Sequence, residues 1–108
     1  MFGREGDNLT VDLPVTFAEA ALGATVPVPT LSGEPVKVRI APGTPSGRVL
    51  RVKGRGVPRK DHPGDLLAKV NVVVPQRLTD ETRAALEALR AQEKGHDPRA
   101  ELFARAQR

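Results

Sequence analysis

FGREGDNLTVDLPVTFAEAALGATVPVPTLSGEPVKVRIAPGTPSGRVLRVKGRGVPR occupies residues 2–59, and after a polar loop the chain returns with GDLLAKVNVVVP at residues 64–75. Leu9, Val11, Leu13 and Val15 alternate with Thr10, Asp12, Pro14 and Thr16. Period two over eight residues predicts a strand with one buried face. Pro14 has no N–H to donate to a ladder, so that end belongs at a sheet edge or at the end of the strand. Thr16 then stands three residues before Glu19, the spacing of a capping box, and Gly23 is a natural helix stop. One or two helical turns are expected between them.

Further along, Val26 and Val28 share one face of a second extended segment from Thr25 to Thr30. Pro27 and Pro29 keep that segment from being a central strand. Leu31 to Glu34 reads as a hairpin connection. Val36, Val38 and Ile40 alternate with Lys37 and Arg39 to give a third strand, and Val49 to Lys53 a fourth. The intervening PGTPSG is a loop of turn residues. Leu66 to Val74 is the longest apolar run and is expected to be the best-buried strand.

Beyond Pro75 the composition changes. Thr79 is a good N-cap, and Asp80 and Glu81 complement the positive end of a helix dipole. A helix is expected from Asp80 to about Lys94. Leu86 and Leu89 share a stripe with Thr82, Ala85 and Glu93. So thin an apolar stripe needs a partner to be stable. Asp97 and Pro98 offer an N-cap and N1 pair for a short terminal helix carrying Leu102 and Phe103. The expected fold class is therefore mainly β: a small two-sheet β-sandwich with one short helix and a C-terminal α-helix.

Composition narrows the function. The chain has 108 residues, one domain's worth, with no cysteine and a net charge of +4. A disulfide framework and a thiolate zinc site are excluded. The two histidines, His62 and His96, are isolated, so no metal or other cofactor is expected. No apolar run reaches the ~18 residues that would span a membrane. No apolar signal segment opens the sequence, and the reading is cytoplasmic. No cluster of catalytic residue types is present, so a binding module is expected and not an enzyme.

Two features invite sharper readings. Arg48, Arg51, Lys53, Arg55, Arg59 and Lys60 put six cations in thirteen residues. A phosphate-tracking surface would usually add stacking aromatics, and the chain has three Phe, no Tyr and no Trp. A solvated strand face and loop is the preferred reading, and nucleic acid is not the expected partner. Gly54 and Gly56 form a GxG without a helix start behind it, so a turn or bulge is expected there. The face carrying Val11, Leu13, Val26 and Val28 can be domain core. It can also form a shallow apolar groove beside a strand edge, to which an extended polypeptide adds.

Five pieces, in order and spacing, resemble the second C-terminal β-domain of DnaJ-type co-chaperones. They are FGREGDNL, LPVTFAEAALGATVPVPTL, APGTPSG, VKGRGVP and GDLLAKVNVVVP. LTDETRAALEAL, residues 78–89, resembles that family's terminal dimerisation helix. The resemblance implies a client-binding β-domain over residues 1–76 and a helical dimerisation segment and tail over 77–108. It implies binding of non-native polypeptide at Val11, Leu13, Val26 and Val28, homodimerisation through Leu86 and Leu89, and cooperation with a DnaK-type ATPase chaperone in protein folding and the stress response. The family's J-domain, with its His-Pro-Asp tripeptide, its cysteine-rich zinc module and its first β-domain do not lie in this sequence. The chain is therefore read as a piece of a longer co-chaperone. The rival readings are a small basic RNA-binding, ribosome-associated β-domain and a purely structural dimerisation module.

Overall fold

A computed structural model describes residues 1–107 and divides them into two compact units, Met1–Val74 and the residues from Pro75 onward. The first unit contains β1 (Gly3–Glu5), β2 (Asn8–Thr16), α1 (Phe17–Leu22), β3 (Ala24–Val28), β4 (Val36–Ile40), β5 (Val49–Val52) and β6 (Leu66–Val73). Four strands form one sheet in the order β1-β2-β6-β5, and β3 pairs with β4 in a second. The unit is mainly β, with two sheets, as the alternation predicts.

β2 and β6 lie side by side and parallel, from Leu9 opposite Leu66 to Thr16 opposite Val73. This register places the inward faces in phase. Leu9, Val11, Leu13 and Val15 meet Leu66, Ala68 and Val70 across the sheet, and Val26, Val28 and Ile40 come from the two-stranded sheet. Leu66, Ala68, Val28 and Ile40 are wholly shut off from solvent. β6 lies between β2 and β5; its inward Leu66, Ala68 and Val70 are buried, while Lys69 and Asn71 on its other face are exposed. Pro14 is tolerated because β1 pairs only with Asn8–Thr10, so no strand lies on the other side of β2 at that position.

α1 carries the expected capping box. Glu19 N–H donates to Thr16 Oγ1 at 3.0 Å, and Thr16 N–H donates to Glu19 Oε1 at 2.9 Å. Only Ala20 of this helix is buried. Buried Thr30 and Thr44 donate their hydroxyls to the carbonyls of Glu34 and Ala41. No buried side-chain nitrogen or oxygen among the described residues lacks a partner.

The second unit holds α2 (Asp80–Gln92) and α3 (Ala100–Ala106). Thr79 caps α2, its hydroxyl accepting from Thr82 N–H at 3.1 Å. α3 begins later than the Asp97-Pro98 pair suggests. Asp97 Oδ1 accepts from Arg99 N–H at 3.0 Å, so its carboxylate closes a turn before the helix and does not cap it.

Candidate functional site

The four residues singled out on the apolar face are brought together, and all four are inside. Val11, Leu13, Val26 and Val28 are buried between the sheets, the most exposed of them at 8%. What borders them is open backbone. β2 from Val11 to Thr16 has β6 on one side and no strand among the described residues on the other, because β1 pairs only with Asn8–Thr10. β3 pairs only with β4, so its other edge is free too. An unpaired edge offers a row of N–H and C=O groups to an incoming strand.

Sequence reading missed the apolar side chains that do reach solvent here. Phe17 is 50% exposed and Leu22 77%. Val73, opposite Thr16 at the end of the parallel pair, is also exposed. A signal for the first two lies in FAEAAL. The side chain that α1 turns into the core is the small Ala20, which leaves the two largest residues of the helix facing outward.

The loop from Gly54 to Asp65 is tied to the start of β2 by close backbone packing. Gly56 N–H donates to the Gly64 carbonyl at 2.8 Å, and Val57 N–H to the Asp7 carbonyl at 2.9 Å. A Cβ on Gly56 would come within 2.5 Å of the Asp65 carbonyl oxygen. Gly54, at φ 74°, lies in the turn that the absence of a following helix suggested, and Gly56 is a place of close chain approach. Arg59 reaches across to Asp7 Oδ1, with Nη2 at 3.0 Å.

Asp65 closes this loop. Its carboxylate accepts from Gly54 N–H at 2.9 Å and from the Arg51 guanidinium at 2.7 Å. Its own N–H donates to Asn8 Oδ1, and its carbonyl accepts from Leu9 N–H. The Gly54 hydrogen bond first, and then Arg51 and Lys53, hold the carboxyl below its ordinary value of 3.8 against the opposing effect of partial burial. The native state therefore binds fewer protons than the unfolded chain below pH 3.8. Stability from Asp65 is complete above that pH and is lost as pH falls through the lowered native value. Asp65→Asn should reduce the thermal midpoint at neutral pH and flatten its decline on acidification. A wild-type-like midpoint and acid profile would show that this carboxylate stabilises nothing.

In the second unit, α2 buries no residue. Leu89 is half-buried, and Leu86 is 39% exposed beside Leu78, Arg83, Glu87 and Arg90, around a shallow depression of about 250 Å³. Leu102 and Phe103 of α3 are also exposed. No helix among the described residues is long and apolar enough to cross a membrane.

The family model of the DnaJ C-terminal domain matches residues 1–75. Chaperone protein DnaJ 1 of Streptomyces avermitilis is 58% identical over 104 residues, covering 95% of this chain and 26% of that protein. Chaperone protein DnaJ 2 of Cutibacterium acnes is 59% identical over 91 residues, covering 83% and 24%. Chaperone protein DnaJ 1 of Mycobacterium tuberculosis is 53% identical over 103 residues, covering 93% and 26%. The chain spans about a quarter of the length of these relatives.

Proposed function

The chain belongs to the DnaJ C-terminal domain family, and on that premise we propose that it holds non-native polypeptide and pairs with a second copy through α2, as part of a homodimeric cytoplasmic co-chaperone. In this reading the client passes to a DnaK-type ATPase through the rest of a longer protein. The domain is a chaperone part and not a catalyst. It acts by binding and makes or breaks no bond.

The observation that carries the reading is the pair of free strand edges, at Val11–Thr16 of β2 and along β3, over the apolar seam of Val11, Leu13, Val26 and Val28. Backbone hydrogen bonds to such an edge tolerate many client sequences, because every residue except proline offers the same groups. Affinity would come from apolar burial. Covering exposed side chains such as Phe17 and Leu22 contributes about 1–2 kcal/mol each. A second copy would add avidity without any new contact. The unburied stripe of α2, with Leu86 and Leu89, supports the pairing.

The test is a titration with an unfolded apolar peptide followed by backbone amide shifts. The largest changes are expected along β2 and β3, at Val11, Leu13, Val26 and Val28, and at Phe17. For a peptide without carboxylate side chains, shifts confined to Arg48–Lys60 would overturn the reading of β2 and β3 as the client edges.

A further inference from the structure

The charge of the β-unit is divided along the chain. Residues 37–69 hold nine Lys or Arg and two Asp or Glu, a net charge of +7 in a chain whose total is +4. Residues 1–36 hold one Arg and five Asp or Glu, a net charge of −4. Pairing does not cancel the basic half. Arg51 is bound to Asp65 and Arg59 to Asp7. Lys37, Arg39, Arg48, Lys53, Arg55, Lys60 and Lys69 form no ion pair among the described residues.

Several of these cations gather around β5. Arg48 and Lys53 flank the strand, Arg51 lies on it, and Lys69 stands opposite Val49 across the pair with β6. β5 is the last strand of its sheet, so no strand among the described residues pairs with its far edge. Val49 is 51% exposed. On the outward face Val49 alternates with Arg51, while Leu50 and Val52 pack against the core. An apolar side chain next to Val49 and a carboxylate next to the cations would satisfy that face together.

We propose that the free edge of β5 recruits acidic stretches of extended polypeptide, so that this chain prefers clients whose carboxylates are interleaved with apolar residues. The proposal rests on the client-holding reading above and names the chemistry of the client. Cations along an edge normally keep sheets from adding to one another. The same charges repel the β5 edge of a second copy and attract an acidic strand, so complementarity selects the occupant. Nucleic acid is the poorer match. Residues 37–69 contain no Phe, Tyr or Trp on which a base can stack, the three Phe being at positions 2, 17 and 103.

Three unfolded peptides of equal length and apolar content, with Glu, Lys or Ser at the polar positions, test this against the whole chain. Anisotropy titrations should show the Glu peptide binding roughly tenfold more tightly than the Lys peptide at low salt, with the ratio shrinking as salt rises. Arg48→Glu with Lys53→Glu and Lys69→Glu should reverse the order. All three positions are exposed, and an unchanged thermal midpoint checks the fold. If the triple variant unfolds, Arg48→Glu alone should narrow the ratio. Equal binding of all three peptides would overturn the charge preference and leave client holding intact. Binding of none of them would overturn both. An RNA oligonucleotide that binds more tightly than the Glu peptide and displaces it would also overturn the proposal.

Discussion

Gly64→Ala is expected to cost about 3 kcal/mol or more, or to prevent folding of the β-unit altogether. A Cβ at position 64 would overlap the carbonyl group of Asp7, which is backbone and has no side-chain freedom with which to yield. The surrounding bonds leave little room for retreat. Val57 N–H holds that same carbonyl at 2.9 Å, Gly64 N–H donates to the Val57 carbonyl at 3.1 Å, and the Gly64 carbonyl accepts from Gly56 at 2.8 Å. Relieving the overlap means separating the loop from the start of β2, which loosens Asp65 and the first residues of the parallel pair. Denaturant titration of wild type and variant measures the effect. A midpoint within experimental scatter of wild type would show that the loop does not pack as described.

Leu86→Asp together with Leu89→Asp should abolish self-association. Neither side chain is fully buried in the single chain, so the variant should fold. At a seam between two copies, each aspartate would be an unpaired charge driven out of water, a cost of several kcal/mol. One tenfold change in association corresponds to ~1.4 kcal/mol, so the dissociation constant should rise by more than a hundredfold. Sedimentation should then find the variant monomeric at concentrations where the parent is paired. Unfolding of the variant would place the stripe against the chain's own residues and remove the case for α2 as a dimer seam.

Much of the fold was legible because period two and period 3.6 leave distinct marks. Leu9 to Val15 announced β2, and Thr16 with Glu19 announced the start of α1. β1 went unread, since its three residues are all exposed and carry no alternation. The parallel pairing of β2 with β6 was also invisible. Period two reports which face of a strand is buried and says nothing of a partner 57 residues away, as Leu66 is from Leu9. The candidate site shows the same limit in another form. Val11, Leu13, Val26 and Val28 were selected as apolar and in phase, which suits a core and a groove equally, and all four lie in the core cluster. The edge beside them depends on where β1 begins, at Gly3 opposite Thr10, and no apolar pattern marks that point. The outward Phe17 and Leu22 became meaningful once Ala20 was known to be the residue of α1 that packs inward.

The mass of the intact chain in solution, followed across a dilution series with and without a permanently unfolded client, tests the central claim most directly. The account predicts twice the chain mass at high concentration, dissociation on dilution, and a heavier species at every concentration where client is present in excess. A single-chain mass throughout, unchanged by the client, would contradict it.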